Sequence, residues 1–213
     1  MKSIRNLLEQ LKTLPYFSKD TIYQLSNQLG LKASTVDTYI SRFLKRKEIL
    51  KLKKGLYISA DFFSKNKSDI SYSFYLANIL RKPSYVSSWA ALQYYNLATE
   101  AIYGINSVTL KVTRDYKTKA GNFVYQSIKK GLFSDFLLIK GTPASSTGSF
   151  DFFIASPSKA LFDMLYFKTH QFRGIRPGDI KTLVKELRID IEDMDKEERA
   201  KFAAMIKKQL RHE

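Results

Sequence analysis

The sequence predicts an α+β protein, and three observations carry that prediction. Residues 34–47 place apolar side chains at steps of three and four, which is typical of a helix with one buried face. Two short alternating runs follow and bracket a basic turn that contains glycine, which is typical of a β-hairpin. Beyond residue 70, β-rich runs alternate with helical ones. The sequence therefore predicts an N-terminal winged helix-turn-helix over 1–62, a linker over 63–69, and a mixed α/β C-terminal domain over 70–213, with a small sheet, packed helices and a helical tail.

The composition favours a soluble protein that binds polyanions. Of the 213 residues, 44% are hydrophobic and 14% aromatic, enough for packed cores, and the net charge of +16 favours DNA, RNA or an acidic protein as partner. The chain has no Cys, which excludes disulfides and thiolate metal sites. We find neither an N-terminal apolar run nor about 18 uninterrupted apolar residues, so we expect no signal peptide, no membrane span and a cytoplasmic location.

The positive charge is concentrated in the first third of the chain. Residues 1–67 hold 14 Lys and Arg against 5 Asp and Glu, a net of +9. Residues 68–170 hold 11 against 6, and residues 171–213 hold 11 against 9. More than half of the excess therefore coincides with the predicted winged helix-turn-helix.

Two helices should precede the amphipathic one. Ser3 can cap a helix that runs to about Leu14 and stops at Pro15. A second helix should begin after Ser18 and end before Gly30, which stands where helices often end in a left-handed residue. The tight turn at Gly30 then leads into the third helix.

The third helix, predicted over 34–47, has one apolar face and one polar face. The apolar face consists of Val36, Tyr39, Ile40, Phe43 and Leu44. The polar face has hydroxyls near the start and cations further on, namely Ser34, Thr35, Thr38, Ser41, Arg42 and Lys45. Hydroxyls can bond base edges or phosphates, and cations meet phosphate oxygens, so this face suits a groove of DNA.

The predicted DNA-contacting residues lie on this helix and at the hairpin tip: Lys32, Ser34, Thr35, Thr38, Arg42, Lys45, Lys53 and Lys54. We expect the three hydroxyls near the helix start to approach base edges and the cations to meet phosphates. Alternatively, Ser34 caps the helix, and the lysines are ordinary solvated charges on a small helical domain.

The second domain should begin with a helix over 71–81, after a polar break at 64–68. A helix capped by Ser87 or Ser88 begins at Trp89, the only tryptophan. Strands are predicted over 107–113, 121–128, 136–140 and 150–155, with turns at 141–143 and 147–149. Further helices are predicted over 156–167, from Asp179, and over 195–210.

Several segments together resemble one family. SYVSSWAALQYYNL, SVTLKVT, GNFVYQSI and IASPSKALFDMLYF, after a predicted winged helix ending in KGLYI, resemble the AbiEi antitoxins of AbiE-type (type IV) toxin–antitoxin systems over residues 20–170. The resemblance implies a repressor that binds its own promoter and counters a nucleotidyltransferase-like toxin, directly or indirectly, in phage defence by abortive infection. The family-like motifs contain Ser87, Ser88, Trp89, Lys159 and Asp163. Residues after about 171 match the pattern least.

A structural interpretation of these motif residues stands beside the functional one. The serines would cap a helix, Trp89 would lie in the core, and Lys159 and Asp163 would form an i,i+4 pair on an exposed side. We favour this interpretation for each of them.

Two other functions stay open. One is an ordinary winged-helix regulator whose second domain senses a ligand or dimerises. The other is a nucleic-acid-processing enzyme in which Asp163 and the segment 179–181 hold a divalent cation, although Asp179 more simply caps a helix. His170 and His212 have no metal ligands at suitable spacing, and no glycine-rich phosphate loop occurs. We therefore expect no enzyme, no metal and no cofactor, and a monomer that binds inverted repeats in double-stranded DNA.

Overall fold

The computed structural model describes residues 2–99, 104–141 and 149–210, and it confirms a mixed α+β fold. His212 and most of the predicted turns at 141–143 and 147–149 lie outside these residues. The helices are α1 Lys2–Lys12, α2 Lys19–Gln28, α3 Ala33–Lys45, α4 Ala60–Asn66, α5 Ile70–Leu80, α6 Ser88–Tyr94, α7 Pro157–Lys168, α8 Pro177–Glu186 and α9 Lys196–Leu210. The strands are β1 Phe17–Ser18, β2 Ile49–Lys53, β3 Leu56–Ser59, β4 Ser84–Val86, β5 Ile105–Thr109, β6 Arg114–Thr118, β7 Gly121–Ser127, β8 Phe136–Ile139 and β9 Phe152–Ala155. Short 3₁₀ turns occupy Lys130–Leu132 and Ile191–Asp193.

The described chain divides into two compact units. The first comprises Met1–Leu76 with Tyr116–Asn122 and Gly141–Phe150, and the second comprises Ala77–Asp115, Phe123–Lys140 and Asp151–Glu213. The domain limits predicted from the sequence stay a prediction. Within the predicted linker over 63–69, α4 continues to Asn66 and α5 begins at Ile70, so residues 67–69 lie between two helices.

The first unit is built on the apolar faces of α1, α2 and α3. Its buried core contains Leu7, Leu11, Ile22, Val36, Ile40 and Phe43. Ser18 begins α2 with a capping box, in which its hydroxyl accepts the N–H of Thr21 at 3.0 Å. Gly30 follows α2 at φ +68°, the left-handed conformation that ends many helices. The N-cap residue Ser18 and the helix-ending Gly30 were both recognised in the sequence. In the folded unit, α3 lies at the surface with one face buried.

A three-stranded antiparallel sheet in the order β1-β3-β2 completes the first unit. β2 and β3 form the expected hairpin, and its turn consists of Lys54 and Gly55, with Gly55 at φ +76°. The N–H of Lys19, at the start of α2, donates to the carbonyl of Gly55 at 2.9 Å. The hairpin turn is therefore fixed to the helical part of the unit.

The second unit contains most of a six-stranded mixed sheet in the order β6-β7-β5-β4-β9-β8. β4 pairs antiparallel with β5 and parallel with β9, and β5 pairs parallel with β7. β4 and β6 were not predicted, and the strand expected over 107–113 is β5, which ends at Thr109. β4 was missed because it has only three residues and one of its partners, β9, lies far along the chain, which leaves little local signal.

The helices of the second unit begin close to the expected positions. α7 starts with Pro157 after the N-cap Ser156, as predicted, whereas α8 starts at Pro177 rather than at Asp179. In the described residues, no helix is both long and apolar enough to cross a bilayer.

Candidate DNA-binding face and buried polar cluster

The exposed side of α3 brings together four of the eight predicted DNA-contacting residues, with Ser41 beside them. At 100° per residue, Ser34, Thr38, Ser41, Arg42 and Lys45 fall within a sector of roughly 100°. All five side chains are exposed. Because the opposite side of α3 is anchored in the core of the unit, this sector, which we call the α3 face, is presented to solvent on a fixed element.

The start of α3 differs from one alternative considered from the sequence. The N-cap residue is Lys32, without a side-chain cap bond, so Ser34 is not the cap. The hydroxyl of Thr35 donates to the carbonyl of Lys32 at 2.7 Å and is half-buried. Ser34 and Lys32 are exposed. The hydroxyl of Thr35 already uses its one donor within the first turn of the helix, so it could only accept a hydrogen bond from DNA.

The single acidic residue of α3 is neutralised by a cation from α2. Lys19 Nζ lies 2.8 Å from Oδ1 and 3.1 Å from Oδ2 of Asp37. The hydrogen bond that Lys19 donates to Asp37 raises the pKa of Lys19 above its usual value. Sequence reasoning missed Lys19, because its partner is 18 positions away and no periodic pattern joins them. As a result, the negative charge at the border of the α3 face has a partner within the protein.

The hairpin that follows α3 in the sequence carries further basic side chains. Lys54 is exposed in the two-residue turn, whereas Lys53 is the last residue of β2 and half-buried. Lys51 is also exposed on β2 and was not among the predicted residues. Its signal was present in the sequence, because Lys51 and Lys53 alternate with Leu50 and Leu52.

Three of the five family-like motif residues, Ser87, Lys159 and Asp163, form a buried polar cluster in the second unit. Lys159 Nζ lies 2.7 Å from Oδ1 of Asp163, and the two side chains are 2% and 0% exposed. Oδ2 of Asp163 accepts the hydroxyls of Ser87 at 2.7 Å and Tyr85 at 3.0 Å. Lys159 also donates to the carbonyl of Leu132 at 2.6 Å. The i,i+4 pair was predicted correctly, but its placement on an exposed side was wrong.

Burial and hydrogen bonding act against each other at Asp163. Burial raises the pKa of its carboxyl group, while Lys159, Ser87 and Tyr85 favour the ionised form. Burial and the adjacent carboxylate both raise the pKa of Tyr85, which keeps its hydroxyl a donor. A carboxyl group with three donors and no solvent access thus joins α7 to the start of α6 and to β4.

The serines and Trp89 differ from the expected cap-and-core roles. Ser87 is the N-cap residue of α6 by position, but its hydroxyl donates to Asp163 rather than capping the helix. Ser88 is buried at φ +52°. Trp89 is half-buried rather than a core residue, and it lines a cavity of about 250 Å³.

The cation-binding alternative finds no geometric basis. Both oxygens of Asp163 are engaged by side chains of the cluster, and Asp179 accepts the N–H of Arg176 at 2.8 Å at the start of α8. Over the residues that the structure describes, no three His, Asp or Glu side chains are grouped as metal ligands would be.

Comparison of the chain with protein-family models and with curated proteins finds no match.

Proposed function

We propose that this chain is a sequence-specific DNA-binding protein with a winged helix-turn-helix, and that it acts as an AbiEi-like antitoxin that represses its own promoter. The observation that carries the proposal is the α3 face, where exposed hydroxyls and cations share one side of a helix whose other side is buried. The antitoxin part is supported by the resemblance of the sequence alone.

The α3 face has the chemistry that a DNA groove requires. The major groove of B-DNA is about 12 Å wide and admits one α-helix. Thr38 can bond base edges, while Arg42 and Lys45 in the last turns of α3 can meet phosphates. The pairing of Asp37 with Lys19 reduces the repulsion between Asp37 and the phosphates without abolishing it.

The hairpin supports the winged-helix part of the proposal. β2 and β3 follow α3 directly, and the exposed Lys54 occupies their turn. The bond from Lys19 N–H to Gly55 holds this turn against α2. A fixed basic hairpin after the third helix is suited to contact the phosphate backbone while α3 enters the groove.

The buried cluster limits where a toxin could be contacted. Lys159, Asp163 and Ser87 come from the two most family-like segments, and they bond one another inside the second unit. Side chains without solvent access cannot touch a partner protein. We infer that these motif residues hold the second unit together and that any toxin contact uses other, exposed residues.

DNA binding is tested with the full chain and the DNA upstream of its own gene. We expect tight binding to that duplex, much weaker binding to a shuffled duplex, and loss of the difference in Thr38→Ala/Lys45→Ala. The matched control is Thr182→Ala/Lys185→Ala, which removes the same two residue types from exposed positions of α8. Equal affinity for both duplexes in the unmodified chain would refute sequence-specific repression.

The antitoxin activity is tested by co-expression with the neighbouring gene, if that gene encodes a nucleotidyltransferase-like protein that arrests growth. We expect the full chain to restore growth, and Thr38→Ala/Lys45→Ala to restore it equally, because neutralisation should not require DNA contact. A chain that binds its promoter but fails to restore growth is a plain repressor. Sedimentation of the free chain as a monomer, with two copies on one operator, would support binding to inverted repeats.

A further inference from the structure

The cavity beside Trp89 lies wholly in the second unit. It is formed by α6, by the strands β5 and β7, and by the end of α7, and its volume is about 250 Å³. Ligand sites in proteins begin at about 300 Å³, so this cavity suits one small planar group rather than a large ligand. Its lining divides into an apolar platform and a polar edge.

The platform consists of Trp89, Met164 and Phe167, with Leu187 beside them. Tryptophan usually buries most of its large surface, but Trp89 is half-buried. In the described part of the chain, no aromatic ring packs against its indole. A partly exposed indole beside a thioether is a side-chain pair against which a flat heterocycle can stack.

The polar edge is supplied by two amides on adjacent strands. β5 and β7 are parallel, with Asn106 opposite Val124 and Val108 opposite Gln126. This register places Asn106 and Gln126 on the same face of the sheet. Neither amide bonds another described residue, so each can offer both a donor and an acceptor to a ligand.

The lining of the cavity also includes one exposed cation. Lys168 is the last residue of α7, lines the cavity and is exposed. Among the ion pairs of the described residues, none involves Lys168. An ammonium group beside a planar site can meet an anionic group carried by the same ligand.

We propose that this cavity binds the base of a nucleotide. The base stacks on Trp89, and the hydrogen-bonding edge of the base contacts Asn106 and Gln126. The phosphate of the nucleotide contacts Lys168. Amide side chains are well matched to the paired donor and acceptor of a base edge, and base stacking on an aromatic ring tolerates any base. A free mononucleotide and the end of an RNA chain share this chemistry. The proposal is independent of the α3 face, because all residues of the cavity belong to the second unit.

The only tryptophan of the chain reports on its own cavity. Its fluorescence is measured in the full chain during titration with AMP, GMP, CMP, UMP, a short RNA and ribose 5-phosphate. We expect saturable quenching by at least one nucleotide or by the RNA, and none by ribose 5-phosphate, which lacks a base. Saturation by mononucleotides below about 1 mM identifies a free nucleotide as ligand, and saturation by RNA alone identifies an RNA end. No saturable quenching by any of them overturns the proposal.

Substitutions then test which atoms hold the ligand. Gln126→Glu replaces an amide donor by a carboxylate and should weaken binding of the quenching ligand about tenfold. Gln93→Glu is the matched control, because Gln93 is exposed on α6 and does not line the cavity. Equal affinity of the two variants overturns the assigned edge.

Lys168→Ala provides a second variant at an exposed position, where a loss of folding is not expected. It should weaken binding of the phosphorylated ligand several-fold and leave binding of the matching nucleoside unchanged. An identical effect on nucleotide and nucleoside overturns the assigned phosphate contact, whether or not Gln126→Glu folds.

Discussion

Lys159 and Asp163 form an ion pair of 2.7 Å in which both side chains are almost completely shielded from solvent. Lys159 Nζ also lies 4.9 Å from the ring centre of Phe162 and donates to the carbonyl of Leu132. Every contact of this pair is therefore made inside the second unit. An unpaired charge at this position would be costly, because neither water nor another counter-ion can replace the missing partner.

We expect Lys159→Met to lower the free energy of unfolding by about 3–5 kcal/mol, since it leaves Asp163 buried without its cation. Lys159→Met/Asp163→Leu should be less destabilised than Lys159→Met, because the double variant removes the uncompensated charge as well. Denaturant unfolding followed by circular dichroism measures both.

The matched control for this pair is Lys65→Met, which breaks the i,i+4 pair of Lys65 and Asp61 on α4. Those side chains are 71% and 44% exposed, so the loss should stay below about 0.5 kcal/mol. If Lys159→Met costs no more than Lys65→Met, the buried pair does not stabilise the unit as argued here.

The contrast between α3 and α7 shows what could be predicted from sequence. The two faces of α3 were predicted because apolar and polar residues separate cleanly at helical spacing, which fixes the buried side. In α7 apolar residues surround the helix, and spacing alone does not say which side a charged residue occupies. A helix that is apolar all round is buried, so the burial of Lys159 and Asp163 could have been inferred, but the donation of Ser87 and Tyr85 to Asp163 could not. Those contacts join positions 76 and 78 residues apart, and only the sheet topology brings them together.

Asp37 should restrain DNA binding even while it is paired. Its pair with Lys19 is exposed, so Asp37→Asn should change the free energy of unfolding by less than about 0.5 kcal/mol. The substitution removes a negative charge beside the α3 face and frees Lys19, so we expect tighter binding to any duplex and a salt slope steeper by about one. Fluorescence anisotropy at several salt concentrations measures both quantities.

The control for this effect is Asp193→Asn, which changes the net charge of the chain equally at an exposed position of the second unit. If contacts of the α3 face determine the affinity, the effect of Asp193→Asn should be smaller than that of Asp37→Asn. Equal gains in the two variants would mean that total charge, and not the α3 face, determines the affinity.

Replacing Thr38 by alanine and replacing Lys54 by alanine should change DNA binding in two different ways. Lys54 is exposed in the hairpin turn, and its loss should weaken binding to all duplexes and reduce the salt slope by about one. Thr38 lies on the α3 face, and its loss should cost about 1–3 kcal/mol on the operator and little on a shuffled duplex. Salt-dependent titrations on both duplexes distinguish these results, and indistinguishable variants would contradict the division of roles.

Glu198 gives the second unit a predictable dependence on pH. Its Oε2 accepts the N–H and the hydroxyl of Ser158, in the first turn of α7, at 2.9 and 2.6 Å, and its Oε1 lies 3.0 Å from Lys201. Burial alone would raise the pKa of this carboxyl group, but the bonds from Ser158 and Lys201 outweigh it and hold the pKa below its usual value. A carboxylate of α9 thus satisfies a free N–H at the start of α7, where the helix dipole also favours negative charge.

Because its pKa is lower in the folded state, Glu198 stabilises the fold above its ordinary pKa of about 4.3, and this contribution is lost as the pH falls through the folded value. We therefore expect the unmodified chain to be more stable than Glu198→Gln at pH 7, and the difference to shrink between about pH 5 and pH 3. Denaturant midpoints at several pH values measure it. Glu197→Gln is the control, because Glu197 also pairs with Lys201 but is 79% exposed, so its difference at pH 7 should be small. If the stability difference between the unmodified chain and Glu198→Gln is the same at pH 5 and at pH 3, the negative charge of Glu198 does not stabilise the start of α7.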